Sequence, residues 1–405
     1  MTQQCLKLFQ IIIFSLFLVR IALTSAIRLI SGHSSSMRLW SLLLFSLFIP
    51  SSSLQCYDVR SFECWPIEIQ EMVLMVSGQD TLRYNCSGRS VEEWYEIGTK
   101  RVGWGVYYIS AGIFFQLIGW PVLWIFLTKF NMTHALKVYR VMVFIGLIEI
   151  SEVWGNSVWP GVVALFGEVY CTSPRITTIV GKVTMVQWAL GSSSAIFLGL
   201  HRLTDMAHIG EWLTNLKTSF WLLLLTAYAF YGSIFFDTIL FNSAYMAPIF
   251  NPMIGTEGIT YDNKFLYCHN IIVSILLIAV YSSLCFIWRS RSMHTSSLHV
   301  TKFQRSILYQ SVCISLTYAI PALSFVTMFL FTTPPWFFHA SDITYQLSGG
   351  LPFIMYIWLN QKVQDEFLNM FGICPSKRQK SVAPTGNSNA NSAMSYYSGA
   401  ARAQQ

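Results

Sequence analysis

The stretch "GWGVYYISAGIFFQLIGWPVLWIFL" (residues 103–127) contains no charged side chain. A helix needs about 20 mostly apolar residues to cross the ~30 Å hydrocarbon layer of a bilayer. Lipid offers no hydrogen-bond partner to an open backbone, so such a stretch has to be helical. The sequence therefore predicts a transmembrane helix here.

Six further apolar segments satisfy the same length rule. They are residues 139–166, 175–202, 218–241, 269–288, 306–331 and 341–360. Only 11% of the chain is charged and its mean hydropathy is +0.49, whereas soluble domains carry about 25% charged residues. We therefore predict an all-α membrane protein, with a bundle of seven transmembrane helices over residues 103–360.

The region before the bundle divides into two parts. Residues 1–55 form a leader, in which residues 37–55 have a basic Arg38, a short apolar run and then small residues, as a signal peptide does. Met37 can then be the translation start. The alternative is that the two apolar runs of the leader form one unusual leader or an eighth membrane helix. Residues 56–102 are predicted to be extracellular.

The region after the bundle begins with an amphipathic juxtamembrane helix, predicted over residues 361–374. Cys374 at its end is a palmitoylation candidate, and a plain free thiol is the alternative. Residues 375–405 are rich in Ser, Ala, Asn and Gly, a composition typical of a disordered tail.

The distribution of Lys and Arg predicts an extracellular N-terminus and a cytoplasmic C-terminus, because basic residues concentrate on cytoplasmic loops. In that orientation two basic residues, Arg175 and Lys264, lie outside. The nine on the inner side are Lys129, Lys137, Arg140, Arg202, Lys217, Arg289, Arg291, Lys302 and Arg305. Lys100 and Arg101, before the first span, point the other way. The sequon at Asn85 is then open to glycosylation and the one at Asn131 is not.

Two cysteines lie at the predicted outer ends of spans. Cys171 precedes the third span and Cys268 the fifth, on the oxidising side where disulfides persist. We predict a Cys171–Cys268 bridge; two buried thiols are the alternative.

Ionisable residues inside membrane spans are functional candidates by default, because burying a charge in lipid is costly. Glu149, Glu152 and Asn156 are spaced to lie on one face of the second helix. Lys182 in the third predicted span and Asp237 in the fourth are the other buried charges that we considered. We predict Glu152, Asn156, Lys182 and Gln187 as the polar floor of an outward-facing pocket. Internal pairing that only fixes helix packing is the alternative.

The third span ends in "FLGLHRLTDM" (residues 197–206). Arg202 can snorkel to the lipid interface, or it can act as a switch group that holds the inner ends of the helices closed. Glu149, deeper than Glu152 and near mid-bilayer, is predicted to hold an ion, a water network or a proton rather than a ligand. Pro321 supplies a kink for movement of the sixth helix.

Several classes of function lack sequence support. The net charge of +7 is modest and no basic run with interleaved aromatics indicates nucleic-acid binding. There is no CxxC pair, and no convergent His or carboxylate set predicts a metal site or an enzyme. We expect neither cofactor nor catalysis.

Five motifs resemble the nematode serpentine receptor class T (Srt) chemoreceptors, a family of seven-transmembrane G-protein-coupled receptors. They are "YNCSGRSVEEWYEIGTKR" (84–101), "MVFIGLIEI" (142–150), "GEVYCTSPRITTIVGK" (167–182), "LGLHRL" (198–203) and "YIWLNQKVQDEF" (356–367). The resemblance covers roughly residues 84–370. It implies a plasma-membrane chemoreceptor, of sensory cilia, that binds a small molecule and signals through a heterotrimeric G protein.

Three positions depart from the family patterns. His201 replaces the usual Asn before Arg202, Glu149 replaces the usual Asp, and Tyr356 follows Pro352 without the Asn-Pro-x-x-Tyr motif. The resemblance implies switch roles for Glu149, His201 and Tyr356. A ligand-gated channel or a transporter that uses Glu149, Glu152, Lys182 and Asp237 is the alternative function.

Overall fold

The computed structural model describes residues 65–130, 137–207, 218–255, 258–292 and 298–373. The leader, the Met37 start, Asn131, Cys374 and the tail lie outside the described residues. Contacts divide the chain into two units, residues 1–364 and residues 365–405.

Eleven α-helices and one hairpin make up the described part of the chain. In chain order the helices are α1 Ile67–Ser77, α2 Val91–Ile97, α3 Val102–Ile125, α4 Lys137–Val153, α5 Trp159–Phe166, α6 Pro174–Ala207, α7 Thr218–Ile234, α8 Lys264–Ser292, α9 Leu298–Leu330, α10 Pro335–Leu359 and α11 Gln361–Met370. The strands are β1 Leu240–Asn242 and β2 Ala247–Ile249. A π-helical turn, Phe126–Phe130, continues α3, and a 3-10 turn, Tyr170–Thr172, precedes α6.

Five stretches of helix are long and apolar enough to cross a membrane: Val102–Thr128, Arg140–Phe166, Pro174–Thr204, Lys264–Ser290 and Leu308–Leu330. The shorter apolar α7 and the helix α10 complete the set of seven. The third span, α6, packs against α4, α7, α8 and α9, while α10 packs on α3, α4 and α9. The third span is therefore the centre of the bundle.

The second span is interrupted by a π-helical turn, Trp154–Val158, between α4 and α5. Such a turn inserts an extra residue into the helix and is frequent at functional sites. Gly155 in this turn lies against the third span so closely that a Cβ there would come 2.3 Å from Thr184 Oγ1. The turn thus rotates the polar residues that follow Glu152 while keeping the two spans in contact.

Residues 65–101 form an outer cap over the bundle. Its helix α2 begins with a capping box, in which Ser90 Oγ accepts from the Glu93 backbone N–H and the Glu93 carboxylate accepts from the Ser90 N–H. Such reciprocal bonds satisfy donors that a helix start leaves open. Tyr84 and Trp94 of the cap are buried with Tyr170 and Leu240 in one apolar cluster. The cap is therefore held on the bundle by a shared apolar core as well as by its chain connection to α3.

The β1–β2 hairpin lies in the second outer loop and pairs Leu240 with Ile249. Arg101 fastens it: its Nε donates to the Ser243 carbonyl at 3.1 Å and its Nη2 to the Ala244 carbonyl at 2.9 Å. A guanidinium donates in several directions at once. This use of Arg101 as a clamp gives a structural reason for a basic residue on the side of the bundle predicted to be extracellular.

The predicted fourth span, 218–241, is wrong at its outer end. Its helix stops at Ile234, so Asp237 is not a membrane charge. Asp237 lies in the outer loop and forms a bidentate pair with Arg83 of the cap, at 2.6 and 2.8 Å. The apolar run after Ile234 enters the outer core through Leu240 rather than the membrane.

The predicted Cys171–Cys268 bridge is wrong as well. Cys171 is bonded to Cys86, 85 residues earlier in the chain, with a Cα–Cα distance of 5.5 Å. Cys268 is a free, half-buried thiol in the first turns of α8. The ring of Tyr84, two residues before Cys86, packs 5.5 Å from that of Tyr170. Packing of the cap therefore brings Cys86, and not Cys268, to the entrance of the third span.

Candidate functional site

A polar layer lies within the bundle around the second span, formed by Glu149, Glu152, Asn156, Ser157, Gln187, Tyr318, Tyr345 and Gln346. Glu149 and Glu152 are fully buried. Tyr318 of the sixth span donates to Glu149 Oε1 at 3.2 Å, and the Tyr345 hydroxyl of the seventh span faces the Glu152 carboxylate. Glu149 therefore faces the sixth span and Glu152 the seventh, although the two acids lie one helical turn apart.

The π-helical turn ties the second span to its neighbours through side chains. Asn156 Nδ2 donates to the Tyr345 carbonyl at 3.2 Å. Gln346 Nε2 donates to Ser157 Oγ at 2.6 Å, and Ser157 donates in turn to the Tyr108 carbonyl at 2.7 Å. The turn thus joins the first, second and seventh spans at one level.

A small cavity opens directly above this layer. The centre of a water molecule can occupy about 20 Å³ within this cavity. The cavity therefore has room for roughly one water-sized group. Its polar lining is Asn156, Thr177, Thr184, Asp342 and Tyr345. Its apolar lining includes Trp159 from the second span and Phe241 from the hairpin.

The hairpin forms the outer wall of this cavity. Phe241 and Pro248, opposite each other in the two strands, both line it. Ile239, just before β1, approaches the third span so closely that a Cβ on Gly181 would come 2.0 Å from its carbonyl oxygen. Glycine at position 181 is therefore what allows the hairpin to close over the cavity.

Trp188 of the third span connects the cavity with the sixth span. Its ring centroid lies 5.2 Å from that of Tyr345, a cavity residue, and 6.0 Å from that of Tyr318. Its indole N–H donates to Asn270 Oδ1 at 2.8 Å, which fixes the ring. A displacement of Tyr345 would press on Trp188, and through it on the tyrosine that bonds to Glu149.

Lys182 lies apart from this cavity. Its Nζ donates to the carbonyls of Ser233 at 2.6 Å and Phe236 at 2.8 Å, at the outer end of the fourth span. The last carbonyls of a helix have no partner within it, and a cation there is favoured. Lys182 therefore caps α7.

A second cavity, about 40 Å³ by the same measure, lies between the cap and the bundle and is lined by Glu71, Arg83, Lys182 and Asp237. The hydrogen bond to Asp237 raises the pKa of Arg83 above its ordinary value. Burial raises the pKa of Tyr170, in the 3-10 turn that packs against the cap, to about 12. Both groups therefore keep their protons at any physiological pH.

The inner end of the third span holds Arg202 inside the protein. Arg202 is 8% exposed, and its Nη2 lies 3.8 Å from Met142 Sδ of the second span. Tyr281 and Tyr356 lie close enough to Arg202 to interact with its charge. A buried guanidinium does not snorkel to the lipid interface, which excludes that interpretation of Arg202.

Comparison with known proteins fits this architecture. Residues 71–381 match the family described as serpentine type 7TM GPCR chemoreceptor Srt. The chain belongs to the Srt family. This Srt receptor is 67% identical over 356 residues to serpentine receptor class T-55 of Caenorhabditis elegans, across 87% of the present chain and 98% of that protein.

Squid rhodopsin is a solved structure to which this Srt receptor is similar. Squid rhodopsin superimposes with a TM-score of 0.45 and 10% identity, over 74% of this chain and 94% of that one. The family itself establishes the predicted seven-helix membrane bundle, and it places the protein among receptors rather than enzymes.

The structure brings together only part of the predicted pocket floor of this Srt receptor. Asn156 lines the cavity, Glu152 lies beside the cavity residue Tyr345, and Gln187 donates to Ser151 Oγ at 3.0 Å. Lys182 lines the second cavity instead. Among the channel candidates, Asp237 and Lys182 lie at the outer end and the two glutamates in the interior, so the four do not form one path.

Several residues of the Srt receptor's site were missed from sequence, among them Asp342, Trp188, Tyr318 and Tyr345. Asp342 is 2% exposed within the seventh span and accepts from the Tyr108 hydroxyl. The rule that singled out Glu149 applied to it equally. Tyr318 and Trp188 carried no such signal, because an aromatic residue in an apolar span is ordinarily packing.

Proposed function

We propose that this protein is a chemosensory receptor of the plasma membrane, including that of sensory cilia, which binds a small molecule in the outer half of its bundle and activates a heterotrimeric G protein. Membership of the Srt family supports G-protein coupling. The observation that carries the binding site is the cavity at the π-helical turn, whose polar lining comes from the second, third and seventh spans.

An extracellular N-terminus is part of this proposal. The Cys86–Cys171 bridge supports it, because disulfides persist on the oxidising side of a membrane. The bridge, the cap and the hairpin all lie at the same end of the bundle as the cavity. A ligand from outside would then reach the cavity beside the hairpin.

The signal is proposed to pass from Tyr345 through Trp188 to Tyr318 and the sixth span. Pro321 lies one turn beyond Tyr318 in α9, and proline removes a backbone hydrogen bond inside a helix. This weak point would let the inner part of α9 move. A ligand can drive such a change only through a difference in affinity for the two states.

The inner half of the switch is proposed to consist of Glu149, His201, Arg202 and Tyr356. His201 is buried beside Phe197 on the third span, and Tyr356 packs edge-on against Phe126 with centroids 4.9 Å apart. The Phe126–Tyr356 contact joins the first and seventh spans at their inner ends, whereas the His201–Phe197 contact lies within the third span. Movement of α9 would disturb this arrangement and expose a surface to the G protein.

The test is ligand-dependent nucleotide exchange on a G protein, in cells screened with an odorant panel. Arg202→Ala is expected to remove the response while surface expression is kept. Arg140→Ala is the matched control, because Arg140 is also basic and near the inner end but exposed; it should respond as the unaltered receptor does. A full response from Arg202→Ala would refute the switch role. Ligand-dependent membrane current without a G protein would instead favour a channel.

A further inference from the structure

Several amide oxygens in and near the polar layer have no hydrogen-bond partner among the described residues. Asn156 gives its amide N–H to the Tyr345 carbonyl, which fixes the orientation of the amide. Gln187 gives its own to Ser151 Oγ, whose hydrogen is already directed to the Ile148 carbonyl. Each amide oxygen is left with no hydrogen-bond partner among the described residues.

Two further amides repeat this arrangement. Gln346 donates to Ser157 Oγ, whose hydrogen is directed to the Tyr108 carbonyl, and Gln116 donates to the Ile150 carbonyl at 2.7 Å. Their oxygens likewise have no partner within the described part of the chain. Buried polar atoms without partners are rare in proteins, so four amides oriented alike indicate a missing donor.

Of these four amides only Asn156 lines the cavity, so a donor bound in the cavity would meet the Asn156 oxygen. Asn156 Oδ1 and Thr184 Oγ1 belong to buried residues of its lining and have no partner among the described residues. Asp342, also in the lining, accepts from a tyrosine hydroxyl. None of the residues that line the cavity is Lys, Arg or His, so a carboxylate there has no cation of the protein facing it.

The walls of the cavity distinguish between two kinds of cation. A hard metal ion requires about six oxygen ligands, and the described residues contain no group of three His, Cys, Asp or Glu that could hold a metal. Trp159, Phe241 and Tyr345 instead bring three aromatic rings to the lining. Aromatic faces attract organic ammonium groups, and an ammonium is of the size that the cavity admits.

We propose that the cavity binds the protonated amino group of a small amine, with Asp342 as counter-ion and with Asn156 Oδ1 and the Thr184 hydroxyl as hydrogen-bond acceptors. The aromatic walls surround the ammonium, and the alkyl part lies toward the hairpin. The inference names the ligand class of the proposed receptor site and rests on that site. It does not depend on G-protein coupling.

The test is therefore a binding measurement without a G protein. The full chain, purified in detergent in potassium chloride, is heated with n-butylamine or with the isosteric n-butanol. The amine is expected to raise the Tm in a saturable manner and the alcohol to leave it unchanged. Asp342→Asn is expected to raise the Kd for the amine roughly tenfold or more, because a charged pair is lost.

Two further variants keep the test decisive if Asp342→Asn folds poorly. Thr184→Val removes a hydroxyl that bonds to nothing described, so it should keep the unliganded Tm and weaken amine binding. Asp262→Asn is the matched control, because this aspartate is on the outer surface and not in the cavity lining; its side chain is 39% exposed. It should bind the amine as the unaltered chain does.

Three results would overturn the inference: equal stabilisation by the alcohol, amine binding that survives both cavity variants, or a Tm increase with sodium chloride to which the amine adds nothing. The last would assign the cavity to a metal ion. A G-protein response to other odorants without amine binding would refute this inference alone. Amine binding without any G-protein response would refute the proposed signalling alone.

Discussion

The outer cap and the polar layer both contact carboxylates, but the carboxylates at the cap have more hydrogen-bond partners than those in the layer. At the cap, Asp237 of the outer loop accepts from both nitrogens of the Arg83 fork, and Glu71 lies 3.3 Å from the same guanidinium. In the layer, Glu149 receives one tyrosine hydroxyl. The cap is thus fixed by interactions that are complete, whereas the layer keeps free acceptor capacity for a bound group or for a second arrangement of the helices.

The largest effect is expected from Cys86→Ser, which would break the cap where it is most strongly fixed. Loss of a native disulfide typically costs about 2–5 kcal/mol in small extracellular domains. We expect most of the receptor to be lost from the cell surface, as measured by surface labelling. Cys268→Ser should leave surface labelling unchanged, since Cys268 is not in the bridge. The opposite result would restore the Cys171–Cys268 pairing.

A smaller loss is expected from Asp237→Asn, which leaves the Arg83 fork without its anion. The pair is partly exposed, with side chains 29% and 12% accessible, so we expect the free energy of unfolding to fall by about 1–2 kcal/mol rather than by the amount typical of a buried pair. The measurement is the Tm in detergent.

The control for the cap pair is Asp262→Asn. The carboxylate of Asp262 lies 3.9 Å from Lys264 Nζ and both side chains are exposed, so its removal should change the Tm little. The difference between the two variants should shrink as salt is raised, since salt screens exposed charges. Equal losses from both would show that the bidentate geometry contributes nothing.

The polar layer is tested by comparing Glu149→Gln with Glu152→Gln, which keep side-chain size and remove charge. Glu149 bonds to Tyr318 of the sixth span, so its change should alter basal and maximal signalling while ligand affinity stays near normal. Glu152 faces the cavity residue Tyr345, so its change should shift the half-maximal ligand concentration first. Dose–response curves measure both. Identical curves for the two variants would mean that Glu149 and Glu152 act together as one structural pair and have no separate roles.

The smallest effect is expected from Asn85→Gln. Asn85 is exposed, and its Oδ1 accepts from the Ser87 backbone N–H and hydroxyl. With the N-terminus outside, the chain should lose electrophoretic mass when Asn85 is replaced or a glycosidase is added, with little change in Tm. Asn131→Gln should leave the mobility unchanged. A shift at Asn131 alone would reverse the orientation of the bundle.

Much of the site could be anticipated from single positions. A glutamate or an asparagine inside an apolar run is conspicuous whatever surrounds it, and Glu149, Glu152 and Asn156 are indeed all buried. Their division between two neighbouring helices could not be anticipated, because it depends on where the sixth and seventh spans place Tyr318 and Tyr345. Helical spacing within the second span does not contain that information.

The sequence by itself determined the membrane helices and the family, because the apolar length of a span and a string of motifs are local properties of the chain. The tertiary structure decided the partners. Cys171 bonds to Cys86, Lys182 caps the fourth span, and Asp237 binds Arg83, 154 residues earlier. The disulfide and the Arg83–Asp237 pair depend on the outer cap packing against Tyr170 and the outer loop, and the Lys182 contact depends on the packing of the third span on the fourth. Spacing along the chain does not encode that distance in space.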